Sequence, residues 1–335
     1  MARRRRAAAA DGGFFDRFRS AIARLPSGLI RVRPPAAPDD VARAEAALGR
    51  PLPFAYVSFL ESFDGADLFH ESVLIAGVGA GAPLLLTSVE QDRGDDLVFA
   101  EAISGDRFAL DVRGRVLRYD PGAEERALAG TGFERWLDAT VAREQILFDA
   151  DGEYAPDVFD PGGQEVLPTI ALRQAERALK VDPEAADAEH ARGLALARLG
   201  RREAALAAFR KATDLDADNP WPWFDAGRTA LALEKPAVAL PAFRRAAAAV
   251  TEGATAARLL AWAVRAAAAA GDESTAQALR AEAVARDPSL VEHLARSAGA
   301  AGDESDEESR AEAIALLEAV APGTAVPRRL PVVRH

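Results

Sequence analysis

The sequence predicts an α+β N-terminal domain, helices packed on an antiparallel-rich sheet, followed by an all-α helical-repeat solenoid. Three observations carry this reading. The apolar period changes from helical to strand-like and back within the first half of the chain, alanines from Ala171 onward recur every 34 residues, and 335 residues exceed one ordinary core. The expected organisation is a disordered basic leader over 1–12, an α+β domain over 13–165, a helical-repeat domain over 166–321 and a C-terminal tail over 322–335.

The leader contains Arg3 to Arg6 and then four alanines, but Asp11, Gly12, Gly13, Asp16 and Arg17 interrupt the apolar stretch an export signal requires. It reads as a frayed terminus. Phe14, Phe15, Phe18 and Ile22 then fall on one side of a short helix. Asp39 and Asp40, after Pro38, are placed to cap a helix carrying Val41, Ala44 and Leu48 on one face, with Gly49 closing it.

A second helix follows the LGRPLP hinge. Pro53 suits a first turn, because its missing N–H has no partner there. Tyr56, Phe59, Leu60 and Phe63 recur at i, i+3, i+4 and i+7, and Gly65 stands where a left-handed residue ends the helix. That stripe is a core face without a nucleophile or a base.

Beyond Gly65, short apolar runs at 73–75, 84–89 and 97–100 read as strands. DRFALDVRGRVLRYD reads as a hairpin turning at Arg113-Gly114, with Phe108, Leu110 and Val112 on one face. Phe133, Trp136, Leu137 and Val141 mark a closing helix.

These residues also carry a resemblance. Val41, Ala44-Glu45, Leu48-Gly49, Leu52-Pro53, Tyr56, Phe59-Leu60 and Gly65, then Gly105-Asp106, Phe108, Leu110, Gly114, Val116, Phe133 and Trp136-Leu137, resemble the pattern of the SUKH superfamily over residues 38–145. That family includes fungal cell-wall assembly regulators and bacterial immunity proteins that neutralise polymorphic toxins. The resemblance implies a binding module with no known shared active site. It also implies that an acidic rim of Glu90, Asp92, Asp95, Asp96 and Glu101 would meet a basic toxin domain, with complementary charge speeding encounter. The plain alternative is an ordinary acidic surface.

In the second half Ala171, Ala205 and Ala239 are spaced by 34, as are Ala178, Ala212 and Ala246, while Ala276 and Ala283 come 37 later. The period is that of tetratricopeptide repeats. Gly193 and Gly227 occupy the close-approach position of the first helix, Phe209 and Phe243 fill the second, and Asp182-Pro183 and Asp287-Pro288 end units. A half unit at 168–185 leads units at 186–219, 220–253 and 257–290. Arg280 in place of the phenylalanine and Val264 in place of the glycine make the third unit degenerate. A capping pair extends to about Val320.

In this register His190, Leu194 and Arg198, then Trp221, Phe224 and Arg228, then Arg258 and Arg265, project toward a concave partner groove. Arginine and aromatic residues are the usual interface anchors. The alternative is that Trp221 and Phe224 pack on the preceding unit. Trp223 is assigned to packing. The family's lysine and asparagine clamp for a C-terminal carboxylate is not reproduced by His190, Leu194 and Asp225.

Catalytic, cofactor-binding and metal-binding assignments are none. Gly77, Gly79 and Ala82 have dinucleotide-fingerprint spacing, but Pro83 and Leu84 to Leu86 follow where a helix should begin. A nucleotide-dependent enzyme using the Gly77–Gly81 loop is therefore the alternative reading. In FDADGEY, Gly152 comes too early for a calcium loop, and His70-Glu71 lacks the second histidine of a zinc protease. With only His70, His190, His293 and His335 in the chain, no histidine triad is visible.

The formal net charge of −11 argues against general nucleic-acid binding, and no run of 18 apolar residues spans a membrane. The absence of cysteine excludes disulfides and thiolate chemistry and fits a reducing cytoplasm. The abundance of alanine and arginine, with only three lysines, suggests GC-rich bacterial coding. GDESDEES at 302–309 reads as a solvated loop between capping helices, or as a segment folding back on a basic ligand or on Arg328, Arg329 and Arg334. The expectation is a non-enzymatic protein-interaction protein, acting in scaffolding or toxin immunity through a protein partner.

Overall fold

The computed structural model describes residues 12–82, 84–88, 96–120, 126–163, 165–299 and 304–322. It divides into two compact units, Met1–Leu199 and Gly200–His335. The expected leader before Gly12, the tail beyond Pro322 and the acidic residues 90–95 lie outside the described residues.

The first unit opens with α1 (Gly12–Ile22), β1 (Ile30–Val32), α2 (Pro38–Leu48) and α3 (Phe54–Leu60). Helix α2 begins two or three residues earlier than caps at Asp39 or Asp40 would place it. Ala37 stands at the N-cap without a side-chain bond, Pro38 is the first helical residue, and Asp39 and Asp40 lie in the first turn, where the macrodipole favours acid. Gly49 ends α2 at φ 68° as expected, but α3 stops at Leu60 with Glu61 as a right-handed C-cap, so Phe63 lies beyond the helix and the left-handed Gly65, at φ 89°, turns the chain into the sheet and does not cap α3.

The strands β2 (Ala66–Leu68), β3 (Val73–Ile75), β4 (Thr87–Ser88), β5 (Leu97–Ala102), β6 (Arg107–Leu110), β7 (Val116–Tyr119) and β8 (Arg126–Gly130) complete an antiparallel sheet in the order β1-β2-β3-β5-β6-β7-β8, with β4 also on β5. Asp111 staples the β6–β7 turn by accepting the amides of Arg113 and Arg115 at 2.9 and 2.8 Å. Strand β6 therefore stops at Leu110. Val112, placed by sequence on the core face with Phe108 and Leu110, stands at the hairpin tip, 83% exposed.

The core is aromatic. Phe15 and Phe63 of the N-terminal segments meet Phe59, and Tyr56, Phe99, Phe133 and Trp136 form a chain of tilted and edge-on ring contacts 4.9–5.7 Å apart across to the sheet. Burial, then the Asp64 charge, pushes the Tyr56 hydroxyl well above its ordinary range, and it donates to the Ala76 carbonyl. Between β2 and β3, three consecutive non-glycine residues, Phe69, His70 and Glu71, are left-handed at φ 57°, 55° and 68°. That conformation is costly. It is held by the Glu71 amide donating to Asp67 Oδ1 at 2.7 Å and the Phe69 amide donating to the Leu29 carbonyl at 2.7 Å.

Helix α4 (Phe133–Glu144) and the 3-10 turn Gln145–Leu147 lead to α5 (Pro168–Val181) and α6 (Ala186–Arg198). Asp182, fully buried between α5 and α6, accepts the Thr131 amide at 2.7 Å and the Thr131 hydroxyl at 3.0 Å. Arg118 on β7 grips Asp187 on α6 through two bonds, at 3.2 and 2.9 Å. These bonds and the packing of α5 on α4 tie the first repeat helices to the sheet. The compact-unit boundary at Leu199/Gly200 therefore differs from the junction at 165/166 that repeat periodicity suggests.

The second unit is all helix: α7 (Arg202–Leu215), α8 (Pro220–Ala232), α9 (Pro236–Ala249), α10 (Gly253–Ala269), α11 (Glu273–Arg286), α12 (Leu290–Gly299) and α13 (Glu304–Val320). Consecutive helices from α7 to α11 pack as antiparallel pairs in a repeat array. The register follows the sequence. Gly227 on α8 lies so close to Phe243 on α9 that an added Cβ would come within 2.6 Å of the ring. Ala239, Ala246, Ala276 and Ala283 are fully buried at the expected contacts.

The array ends differently. With Arg280 where the units before it carry phenylalanine, no ring fills the gap beyond α11, and its guanidinium instead donates to the Ala319 carbonyl of α13 at 2.7 Å. Helix α12 touches α10 and α11 only lightly, and α13 packs along α10. The acidic run expected as a loop is helical from Glu304, in the first turns of α13, where a helix N-terminus stabilises negative charge.

Candidate functional site

The site lies in the second unit, on the first helices of successive pairs. Trp221 and Phe224 stand on α8 and Trp262 on α10. Trp221 meets Phe224 edge-on at 6.2 Å, Phe224 meets Trp262 at 5.9 Å, and Trp262 stacks on the buried Phe243 at 5.5 Å and 27°. Asn219 caps α8 by accepting the Trp221 amide at 3.1 Å, and Pro220 and Pro222 fix its first turn, so the Trp221 backbone is set before any partner arrives.

Guanidinium groups border these rings. Arg228 lies 5.6 Å from the centres of both Phe224 and Trp262, and Arg265 lies 5.1 Å from Trp262. A cavity of about 260 Å³ opens between Trp221 and Phe224 of α8 and Thr255, Arg258, Leu259 and Trp262 of α10, with Glu312 of α13 on its rim. Arg258 reaches Glu312 at 3.3 Å, and Arg228 reaches Glu308 at 3.7 Å. An aromatic trough edged by cations holds an apolar side chain by burial and an acidic one by charge.

Trp221, Phe224, Arg228, Arg258 and Arg265 thus come together. Phe224 packs forward onto Trp262 of the next unit, and Trp221 meets Phe224 and lines the same cavity as Trp262. Trp262, the centre of the cluster, is absent from the sequence-based set. A signal was present in the spacing: Leu194, Arg228 and Trp262 are spaced by 34, whereas the third unit was read 37 later, which selects Arg265 in its place. Trp223, assigned to packing, is half-buried and donates its indole N–H to the Ala217 carbonyl at 3.1 Å. In the first unit, His190 is buried on α6 and Leu194 is exposed. Arg198 is bound by Glu165 at 2.8 Å and by the Val166 carbonyl.

The acidic rim is described at two of its five positions. Glu90, Asp92 and Asp95 lie outside the described residues, while Glu101 is exposed on β5. Asp96 is 5% exposed, takes the Tyr119 hydroxyl proton in a hydrogen bond and faces Arg126 at 3.6 Å. Burial and then that bond push the Tyr119 hydroxyl up to about 12.

The Gly77–Gly81 loop is occupied from within. Asp64 Oδ1 accepts the amides of Val78 and Gly79 at 2.7 and 3.1 Å, so a carboxylate of the chain sits where a phosphate would have to bind. A side chain at Gly77 or Gly79 would meet Asp64 at about 2.5 Å, which accounts for both glycines as packing requirements. The chain continues into a strand rather than a helix. In FDADGEY, Asp149 Oδ1 accepts the amides of Asp151 and Glu153, closing the loop on itself. His70 Nε2 lies 3.1 Å from the Gly152 carbonyl. Among the described residues no cluster of three metal-ligating side chains occurs, and no helix is long and apolar enough to cross a membrane.

Neither a protein-family profile nor a curated protein matches the chain. Solved structures do. A structure of MamA is 18% identical and covers 46% of this chain and 86% of its own, with a TM-score of 0.34. YrrB, described as a TPR protein with an unusual peptide-binding site, is 20% identical over 47% of this chain and 79% of its own, with a TM-score of 0.34. A MamA fragment from Desulfovibrio magneticus RS-1 is 22% identical over 46% and 85%, with a TM-score of 0.33.

Proposed function

We propose that the chain is a non-enzymatic protein-interaction protein, a SUKH-like recognition domain coupled to a repeat adaptor that holds a segment of a protein partner in its groove. The carrying observation is the cluster of Trp221, Phe224 and Trp262 edged by Arg228, Arg258 and Arg265 around a cavity of about 260 Å³. Large rings in a groove edged by guanidinium groups are the composition of interface anchors. The roles suggested for the α+β domain, scaffolding or immunity against a basic toxin domain, rest on the sequence resemblance over 38–145. The test is selection of a displayed peptide library on the intact protein, followed by titration of the enriched peptides against the Trp221→Ala, Arg228→Ala double variant. Peptides should bind the native chain and lose about 2 kcal/mol or more on the variant. Enriched peptides that bind both proteins equally refute the groove.

A further inference from the structure

Helix α13 ends the array in an unusual way. A further repeat would lay its first helix against α10 and α11, yet α12 barely touches them and α13 packs along α10 in its place. Two of its ion pairs go to successive first helices of the array: Glu308 to Arg228 on α8, and Glu312 to Arg258 on α10. Glu308 and Glu312 are one turn apart and share a face. Ala313, Leu316, Leu317 and Val320 form the buried apolar face of the same helix. So α13 has a buried apolar face in its C-terminal half and turns two carboxylates, Glu308 and Glu312, toward the trough.

The fit is incomplete in an informative way. Glu308 is 89% exposed and its contact is long, so its pairing with Arg228 is a surface pair of the kind that exchanges readily in water, while Arg310 holds this end of α13 to the Ala298 carbonyl of α12 at 2.7 Å. Arg265 lies over Trp262 and has no carboxylate partner among the described residues. Three guanidinium groups therefore face two carboxylates, and the cavity beside Glu312 leaves room for an apolar side chain.

We infer that the groove receives an acidic amphipathic helix of a partner protein, with carboxylates one turn apart and a large apolar anchor between them, and that α13 is the chain's own surrogate for it. The inference rests on the groove being a binding surface. A single-stranded nucleic acid offers similar charge, but the trough demands an apolar anchor, and the chain's net charge of −11 repels a polyanion.

The probe is a fluorescein-labelled peptide with the sequence of residues 304–320, titrated by anisotropy against the full chain. The chain carrying Glu308→Arg and Glu312→Arg should bind it at least tenfold more tightly than the native chain, because its own α13 is repelled from Arg228 and Arg258. A probe with both glutamates replaced by glutamine should bind that variant at least tenfold more weakly, and added salt should weaken the acidic probe. Hydrogen exchange should speed up at the N-terminal half of α13 while α8 to α11 stay protected. Should the variant lose that protection, Arg228→Gln with Arg265→Gln in the otherwise native chain decides, and the probe's affinity must then fall at least tenfold. No gain in the charge-reversed chain, equal binding of the glutamine probe, or tighter binding of an oligothymidylate overturns the inference. Library peptides that require Trp221 and Arg228 but carry no acidic residues would overturn it while leaving the groove itself standing.

Discussion

Replacing Gly227 with alanine sets two known effects against each other. Alanine is a better helix former than glycine by about 1 kcal/mol, so an open site in α8 would gain stability. This site is closed: the new Cβ would lie 2.6, 2.8 and 2.8 Å from Cε1, Cδ1 and Cζ of Phe243. The ring is fully buried and stacked on Trp262 at 5.5 Å, so it has nowhere to turn. Overpacking of this kind costs about 1–3 kcal/mol, and with three ring atoms in conflict the clash should win, giving a net loss of about 1–2 kcal/mol. The control is the same substitution in a Phe243→Leu background, where the clash is relieved and Gly227→Ala should stabilise by about 0.5–1 kcal/mol. Urea unfolding followed by far-ultraviolet circular dichroism measures both, and tryptophan fluorescence reports whether the shifted ring disturbs Trp262. A raised midpoint for Gly227→Ala in the native background would refute the close approach, and so would an equal cost in both backgrounds.

Two further predictions concern the junction of sheet and first repeat helices. Asp182→Ala strips Thr131 of both its acceptors at a fully buried site and should destabilise the first unit by about 2–3 kcal/mol in urea unfolding, with Asp182→Asn costing less; native-like midpoints for both would exclude the anchoring role. Asp187 sets the acid limit. Its burial opposes ionisation, but the Arg118 guanidinium overcomes this and holds the carboxyl below its ordinary value of 3.8. A depressed folded-state pKa contributes stability that is complete above the unfolded value and is lost as pH falls through the folded one. The stability difference between the native chain and Asp187→Asn should therefore be constant above about pH 5 and shrink below about pH 4. A difference that instead grows with acid would contradict the sign.

Legibility in the sequence followed length and periodicity. Helices with a full apolar stripe were readable: Tyr56, Phe59 and Leu60 on α3 are all fully buried, as is Leu137 on α4. So was the 34-residue register, because close helix approach admits only small residues at fixed places and Gly227 opposite Phe243 is such a place. Strands β1, β2 and β8 were not. Three to five residues are too few to show a period, and the polar members of β1 and β2, Arg31 and Asp67, face each other across the strand pair and bind one another. The burial of Asp96 was hidden for a related reason. Its partner Tyr119 lies on β7, separated from it in sequence by β5 and β6, and a carboxylate among acidic neighbours reads as surface until that partner is placed.

At the candidate site the two omissions, Trp262 and α13, share a cause. Each was judged by its local context where the repeat register held the information. Trp262 lies in the unit marked degenerate by Val264 and Arg280, yet it keeps the 34-residue spacing from Arg228, and the groove face persists there even though the packing face has changed. The degeneracy itself produces the second surprise. An arginine at position 280 cannot fill an inter-unit gap, so the array stops, and its guanidinium finds the carbonyl end of the next long helix, where the macrodipole welcomes a cation. That bond helps to fix the C-terminal end of α13 while its acidic N-terminal turns reach Arg228 and Arg258. One substitution in the repeat pattern thus links the end of the array to an acidic helix lying at the edge of its groove. Arg280→Ala should accordingly loosen α13 without unfolding α8 to α10.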